Sequence, residues 1–215
     1  MGPVVPAYFH PAPHAAEWRR LADAGPAVRA VVLNAADGPG TRPDPELRLA
    51  ATRLRVPVLG YVDTAYGARD IPAVERDIAR HLTWYPVGGV FFDQVAAGPE
   101  WLAHYGRLAA AARRHGCGTV MFHHGVYPDP RFAGLADMLG VFEGPARRYL
   151  TLVPPGWARR HTAATFCHLV YDTPAHLLPT VLEHAAGVHA ASVYLTDRGG
   201  ANPWDGLPPY FPRPC

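Results

Sequence analysis

Short apolar runs recur along this chain of 215 residues at a spacing of roughly 27 residues, the length of one strand–helix unit. Eight runs of this kind are present, each bounded by glycine, proline or polar residues. As predicted strands they are Val4–Phe9, Ala30–Leu33, Pro57–Val62, Gly89–Asp93, Thr119–Phe122, Met138–Glu143, Phe166–Tyr171 and Ala191–Thr196. Such continuous apolar runs are typical of parallel strands that are buried on both faces.

The segments between several runs carry the apolar periodicity of helices. Ile71–Thr83 has apolar residues three and four positions apart, and Trp101–His115 and Pro174–Ala186 repeat the pattern. Eight strand–helix units predict an α/β fold, a compact (β/α)8 TIM-type barrel in which residues 1–215 form a single domain. Only Asp129–Ala136 separates the fifth and sixth runs, so we expect a degenerate helix there. A doubly wound open sheet is the structural alternative.

The composition excludes several classes of function. All 20 basic residues are arginines, so Schiff-base chemistry and a P-loop nucleotide site, which need lysine, are ruled out. The net charge of +2, without a basic stripe, argues against a nucleic-acid partner. No apolar run approaches the length of a membrane span, and we expect no membrane partner. The N-terminus lacks a basic segment followed by an apolar one, which predicts a cytoplasmic location.

The sequence gives little support for catalysis by a cysteine, a metal ion or a serine. The widely spaced cysteines predict reduced and mostly buried thiols: Cys117, Cys167 and, free at the terminus, Cys215. His123 and His124 are adjacent on a predicted strand and therefore point in opposite directions. His10 and His14 are four residues apart, but Pro11 and Pro13 prevent the helix that would bring them together. The only serine, Ser192, lies inside an apolar run. We therefore expect neither a metal nor a cofactor.

In a TIM-type barrel the carboxyl ends of the strands meet at one face and form the active site. Polar and aromatic residues occupy the predicted positions at this face: Tyr8, His10, Asn34, Asp37, Tyr61, Asp63, Asp93, Gln94, His123, Glu143, His168, Tyr171, Tyr194 and Asp197. Carboxylates combined with aromatic rings suit a carbohydrate, because the rings stack on sugar C–H faces and the polar groups bind hydroxyls. The sequence therefore predicts a carbohydrate partner, and an acidic mouth favours a cationic amino sugar.

Two carboxylates stand out because each ends a buried run and directly follows a phenylalanine. Asp93 ends the fourth predicted strand, and Glu143 ends the sixth. A carboxylate in such a position needs a function or a partner, and a pair of them on one rim is typical of glycoside hydrolysis. A salt bridge or a helix cap is the structural alternative for each. Turn and loop roles are the alternative for the other acids at this face: Asp37, Asp63 and Asp197.

The chain resembles the spherulin-4 (spherulation-specific family 4) proteins almost from end to end. The matching segments are Val5-Pro6-Ala7-Tyr8-Phe9, Val32-Leu33-Asn34, Asp37-Gly38-Pro39-Gly40, Leu59 to Gly67, Trp84-Tyr85, Gly89 to Asp93, Ala136-Asp137, Phe142-Glu143, His168 to Tyr171 and Val193 to Asp197. The resemblance implies a (β/α)8 glycoside hydrolase, and characterised relatives cleave a galactosamine-containing exopolysaccharide. Their proposed catalytic acids correspond here to Asp93 and Glu143.

One position departs from the family pattern. The hydrolases of the family carry Asp-Glu after the fourth strand, whereas this chain has Asp93-Gln94. A glutamine cannot titrate, although it can donate a hydrogen bond to a sugar hydroxyl or acetamido group. Members of the family are often secreted, in contrast to the cytoplasmic location that the N-terminus predicts.

We therefore predict a glycosidase that cleaves O-glycosidic bonds in a galactosamine- or N-acetylgalactosamine-type polysaccharide. Glu143 is expected to be the general acid, in a pocket that raises its pKa, and Asp93 its anionic partner. The side chains expected to grip the sugar most directly are Gln94, Asp63, Tyr8, His10 and Tyr61. The alternatives are a non-catalytic carbohydrate-binding barrel, which Gln94 favours, and an intracellular enzyme that acts on a small sugar.

Overall fold

The computed structural model describes residues 2–212, and in this part of the chain eight parallel strands form one sheet. The strands are β1 Val4–Ala7, β2 Ala30–Leu33, β3 Val58–Asp63, β4 Gly89–Asp93, β5 Thr119–His123, β6 Met138–Pro145, β7 Phe166–Tyr171 and β8 Ser192–Leu195. Each strand pairs with the next one along the chain, and β1 contacts β8. This sequential order confirms the predicted TIM-type barrel and excludes a doubly wound sheet, in which the strand order reverses.

A side chain bridges the seam between the first and last strands. Within residues 2–212 the backbone ladders run from β1 to β8, and the Val4 N–H donates to Ser192 Oγ at 2.9 Å. Both residues are fully buried. The single serine of the chain therefore joins β8 to β1 and satisfies a backbone donor that would otherwise be unpaired.

Helices and turns cover the outside of the barrel. The helices are α1 Ala15–Ala24, α2 Pro45–Thr52, α3 Ile71–Trp84, α4 Leu102–Arg114, α5 Ala146–Tyr149 and α6 Leu178–Gly187. The three helices predicted from periodicity correspond to α3, α4 and α6, and 3₁₀ turns precede the last two. Between β5 and β6 the chain forms only a 3₁₀ turn, Pro130–Gly134, as the short spacing predicts.

The close packing of α3 on β3 fixes one wall of the barrel. Gly60 in β3 lies against the ring of His81 on α3, where a Cβ atom would collide with the imidazole. The His81 Nε2 donates to the carbonyl of Tyr61 at 2.7 Å. Glycine at position 60 therefore lets the helix approach the strand, and the hydrogen bond holds Tyr61 in place at the carboxyl end of β3.

The segment after β8 contains turns but no helix up to residue 212. Arg20 on α1 holds it, because the guanidinium donates to the carbonyls of Pro208, Pro209 and Phe211 at 2.7–3.2 Å. The last part of the described chain is thereby fastened against the first helix, next to the seam.

Two of the predictions on thiols and membranes can be compared with the structure. Cys117 and Cys167 are buried and unpaired, as predicted, whereas Cys215 lies outside the described residues. None of the helices within residues 2–212 has the length and apolar character needed to span a bilayer.

Candidate active site

A cavity of about 480 Å³ opens at the carboxyl ends of the strands. Its walls are formed by Tyr8, Asn34, Ala35, Ala36, Asp37, Tyr61, Asp93, Glu143, Ala201, Asn202, Pro203 and Trp204. The carboxylate that ends β4 and the carboxylate two residues before the end of β6 therefore lie on one shared cavity, which is the arrangement that the sequence predicts for Asp93 and Glu143. Three aromatic side chains and several amide and carboxylate groups complete the lining.

Asp93 is held at the end of β4 by a tyrosine from the neighbouring strand. The Tyr61 hydroxyl donates to Asp93 Oδ2 at 2.8 Å, and the ring of Tyr8 meets that of Tyr61 edge-on at 5.4 Å. Burial raises the pKa of Asp93, and the negative charge of Glu143 adds to this effect. His123 and the Tyr61 hydrogen bond oppose the shift without cancelling it, so Asp93 keeps its proton to a higher pH than an ordinary aspartate.

Glu143 has the opposite electrostatic environment. Burial favours its neutral form, but the hydrogen bond and the charge of His123 outweigh burial, and the pKa of Glu143 lies below its usual range. The His123 Nε2 donates to Glu143 Oε2 at 2.6 Å, and the Trp204 Nε1 donates to the other oxygen at 3.2 Å. The negative charge of Glu143 in turn raises the pKa of the buried His123, although burial alone would lower it.

These pKa shifts are opposite to those predicted from sequence. We expected a raised pKa for Glu143 and an anionic Asp93, whereas burial raises the pKa of Asp93 and the contacts of His123 and Trp204 lower that of Glu143. The reason is local: the sequence does not reveal that a histidine from β5 and a tryptophan from beyond β8 both donate to Glu143. Asp93 is therefore the member of the pair that keeps its proton to the higher pH.

The position of His123 depends on two neighbouring residues. Its ring stacks on Phe91 of β4, with the ring centroids 5.3 Å apart. On the other side it covers Gly140 of β6, where any Cβ atom would overlap the imidazole. His123 is 4% exposed and does not line the cavity, so it supports Glu143 from behind instead of contacting a ligand as predicted.

Four of the residues predicted to bind sugar lie on the cavity: Tyr8, Asn34, Asp37 and Tyr61. Asn34 also shapes its own loop, because its Oδ1 accepts from the Gly38 N–H at 3.0 Å. Asp37 is exposed and has a left-handed backbone, with φ of 49°, which turns the chain after β2. Asp37 therefore occupies both predicted positions: it forms the turn, and the turn places its carboxylate at the mouth of the cavity.

Three predicted binding residues have other partners and lie away from the cavity lining. His10 is exposed, and its Nε2 donates to Asp44, the residue that caps α2. Asp63 Oδ1 accepts from the Ala65 N–H at 2.7 Å, which is the turn role that was the alternative. Asp197 is exposed beyond β8, where its negative charge raises the pKa of Tyr210.

Four further predicted residues do not line the cavity. His168 is fully buried and shares a hydrogen bond of 3.0 Å with the Tyr149 hydroxyl of α5, so it faces the helical layer. Tyr171 and Tyr194 pack their rings against Trp204, at centroid distances of 6.1 and 5.9 Å, and support it from outside the lining. The Gln94 carbonyl accepts hydrogen bonds from the loop after β3.

The wall that sequence reasoning missed comes from the loop after β8. Asn202, Pro203 and Trp204 line the cavity, and the Asn202 side chain accepts from the Trp204 N–H at 3.0 Å to form a turn. Trp204 is only 5% exposed, and it reaches Glu143 across the barrel mouth. An Asn-Pro turn followed by tryptophan was a visible signal, although the sequence does not show that this loop folds back over the barrel.

The side chains of the described residues do not form a metal-binding site. Within residues 2–212 no group of three or more histidine, cysteine or acidic side chains is arranged to hold a metal ion. Asp93 and Glu143 contact a tyrosine, a histidine and a tryptophan instead, and these partners suit proton transfer and charge stabilisation.

Fold and site together define a TIM-type barrel protein with a paired-carboxylate cavity at the carboxyl ends of its strands. The model of the spherulation-specific family 4 matches residues 4–215, and the chain belongs to this family. Spherulin-4 of Physarum polycephalum is 27% identical over 148 residues, which cover 65% of this chain and 44% of that protein. The chain thus matches less than half the length of this curated relative.

Two solved structures are similar to this barrel. Sph3 of Aspergillus clavatus, solved in complex with GalNAc, superposes with a TM-score of 0.80 at 26% identity, over 97% of this chain and 93% of that one. An alpha-L-fucosidase, isoenzyme 2 of Paenibacillus thiaminolyticus, has a TM-score of 0.50 at 12% identity and is covered to 48%, so it shows similarity of fold alone.

Proposed function

We propose that this protein is a glycoside hydrolase that cleaves O-glycosidic bonds in a galactosamine- or N-acetylgalactosamine-type polysaccharide. The observation that carries the proposal is the pair of carboxylates on one cavity with pKa values displaced in opposite directions. When the pKa values of two carboxyl groups differ in this way, one group can act as proton donor and the other as anion at the same pH. Similarity to Sph3, solved with GalNAc, supports an amino sugar as the ligand.

The proposed mechanism gives the proton to Asp93 and the negative charge to Glu143. Asp93 transfers its proton to the glycosidic oxygen, so that the bond to the anomeric carbon breaks with a neutral leaving group. Glu143, held as an anion by His123 and Trp204, faces the positive charge that develops on the sugar ring. The Tyr61 hydroxyl then stabilises the aspartate that remains. Water adds to the anomeric carbon and returns a proton to Asp93, which completes the hydrolysis.

The rest of the lining supports a polar, ring-shaped ligand. Tyr8, Tyr61 and Trp204 supply aromatic surface for the C–H faces of a pyranose. Amide and carboxylate groups of Asn34, Asp37 and Asn202 are available for hydroxyl and amino groups at the mouth. Gln94 lies outside the lining, so the substitution of Gln for the family's Glu leaves the proposed acid pair intact.

The proposal is tested by incubating the protein with galactosamine polymers of graded acetylation and measuring the reducing ends released. Asp93→Asn and Glu143→Gln should each lower the rate by about 100-fold or more, because each removes a titrating group and changes little in volume. Asp197→Asn is the matched control, since this acid is exposed and outside the cavity. Wild-type release without any loss in either cavity variant would reject the assignment.

A non-catalytic sugar-binding barrel is the second candidate, and Gln94 is the observation that favours it. GalNAc binding by the wild-type protein, without release of reducing ends over prolonged incubation, would support this candidate. The Gln94→Glu variant then separates the two cases. If Gln94→Glu gains hydrolysis, the glutamine at position 94 is the reason that the wild-type protein lacks it. If Gln94→Glu and wild type hydrolyse the polymer at equal rates, hydrolysis does not require a glutamate at position 94.

A further inference from the structure

Tyr66 is an aromatic side chain left on the rim beside the cavity. It lies in the loop that follows β3, and it is 60% exposed. It belongs neither to the cavity lining nor to the core clusters. A large ring in water at the carboxyl ends of the strands is unusual enough to require a reason, because most side chains of this size are at least half buried.

The backbone around Tyr66 is strained. Ala65 and Tyr66 have φ of 45° and 53°, and Gln94 after the next strand has φ of 51°. Residues with a Cβ atom avoid this left-handed region, and tyrosine gains no compensating local hydrogen bond there, unlike asparagine. Clusters of such residues persist where the surroundings impose them, and they concentrate at ligand-binding sites.

Hydrogen bonds to the end of β4, the strand that ends at Asp93, impose this conformation. The Tyr66 N–H donates to the Gln94 carbonyl at 2.8 Å, and the buried Thr64 hydroxyl donates to the carbonyls of Asp93 and Gln94 at 2.9 and 2.8 Å. On the far side, Gly67 packs directly on the ring of Trp101. Tyr66 is therefore fixed relative to Asp93 through a short chain of backbone contacts.

We propose that Tyr66 forms a second sugar subsite, in which its ring stacks on a pyranose of the polysaccharide next to the sugar held in the cavity. The inference rests on the proposed function, because it requires a polymer that extends past Asp93. A chain leaving the cavity over β3 and β4 passes the loop that carries Tyr66. The strained backbone is then the consequence of presenting an aromatic face at this point of the rim.

The test compares a monosaccharide with an oligosaccharide. Binding of GalNAc and of a GalNAc tetrasaccharide is measured by calorimetry for wild type, Tyr66→Asn and Tyr66→Phe. Tyr66→Asn should weaken tetrasaccharide binding by about fivefold to tenfold and leave GalNAc binding unchanged. Tyr66→Phe keeps the ring and should stay within about twofold of wild type.

Stability provides a second readout, because asparagine tolerates a left-handed backbone. Tyr66→Asn should unfold at the same temperature as wild type or higher, whereas a purely structural role for the tyrosine would make the variant less stable. Leu49→Ala, at an exposed apolar residue on α2, is the control for the loss of apolar surface area. It should change the affinity for neither GalNAc nor the tetrasaccharide.

The outcomes separate this inference from the proposed function. Equal tetrasaccharide affinity in wild type and Tyr66→Asn, with GalNAc bound by both, would overturn the second subsite alone. Parallel loss of GalNAc and tetrasaccharide binding in the variant would also overturn it, because the tyrosine would then act on the cavity itself. A wild-type protein that binds neither ligand would overturn the proposed function together with this inference.

Discussion

The ionisation of each carboxylate in the cavity is decided by the residues that touch it. Asp93 and Glu143 both end buried strands, yet only Glu143 has a charged donor and an indole N–H as partners. Asp93 accepts from a tyrosine hydroxyl, a weaker stabiliser of the anion, and burial dominates. The pKa of a carboxyl group is therefore raised on one side of the cavity and lowered on the other.

We expect His123→Gln to move the acidic limb of the pH–rate profile to higher pH. The His123 hydrogen bond and, after it, the His123 charge lower the pKa of Glu143, and the substitution removes the charge. The glutamate therefore becomes protonated, and inactive, at a higher pH than in wild type. The measurement is kcat/KM for polymer hydrolysis between pH 4 and 8. His10→Gln, an exposed histidine outside the cavity, should leave the limb in place, and an unmoved limb in His123→Gln would contradict this explanation.

The identity of the two acids could be predicted from sequence, but their environments could not. A carboxylate that ends an apolar run is visible in the chain, and both acids were found in this way. The role of His123 depends on the parallel register that pairs it with Gly140, a position without a side chain that leaves room for the ring. The register is fixed by tertiary packing and cannot be deduced from the sequence. Gly140 was the only residue in the sequence that hinted at it.

At the level of elements, Arg198 holds the part of the loop after β8 that carries Trp204. Arg198 donates to Asp205 at 2.7 Å and to Glu17 of α1 at 3.4 Å, and Gly206 packs on its guanidinium. Asp205 directly follows Trp204, so the arginine fastens the residue that donates to Glu143. The side chain is 34% exposed, and its ion pairs matter more for position than for stability.

Arg198→Ala should therefore weaken GalNAc binding by about fivefold, because Trp204 loses its fixed orientation at the cavity wall. The control is Arg131→Ala, which breaks an exposed ion pair with Asp129 in the turn between β5 and β6. Calorimetry with GalNAc measures both variants. An affinity for Arg198→Ala equal to that of the control would mean that the other contacts of Trp204, with Asn202, Glu143 and the two tyrosines, are enough to hold it.

Elements with a strong internal pattern were predicted well, and elements defined by tertiary contacts were not. The periodicity of α3 and α4 is written in the chain, and both were located within about one residue. The loop after β8 has no period, since its conformation follows from Arg198, Glu17 and the aromatic rings beneath Trp204. The cavity wall it forms was therefore absent from the prediction.

At the scale of the whole molecule, three buried histidines should set the acid limit of stability. Burial lowers the pKa of His81 and His124 to about 4 and that of His168 to about 3. In the unfolded chain the value is about 6.5. The unfolded chain therefore binds these protons more tightly, so the free energy of unfolding is at its full value above about pH 6.5 and falls as the pH drops towards 4.

Urea unfolding at pH 7.5, 6.0 and 5.0 measures this dependence. His10→Gln, which removes an exposed histidine, should show the same decline as wild type, whereas His124→Gln should show a shallower one. A wild-type free energy of unfolding that stays constant from pH 7.5 to 5.0 would show that these histidines do not control stability.

The seam between β1 and β8 supplies a second prediction at this scale. Ser192→Ala removes the acceptor of the Val4 N–H and leaves a buried donor unpaired, which should lower the free energy of unfolding by about 1–3 kcal/mol. Thr83→Ala is the control, because its hydroxyl bonds a carbonyl of its own helix in an exposed position. Equal stability of the two variants in urea would mean that water or a backbone shift satisfies Val4.

The meeting of β1 and β8 also has a consequence for how the chain is made. Residue 4 acquires its final neighbour only when residue 192 is available, so residues 4–192 must all leave the ribosome before the ring of strands can close. Until then the first strand presents an unpaired edge to other nascent chains. Completion of this barrel therefore waits for its last strand, and the edge of β1 is the surface that a chaperone has most reason to cover.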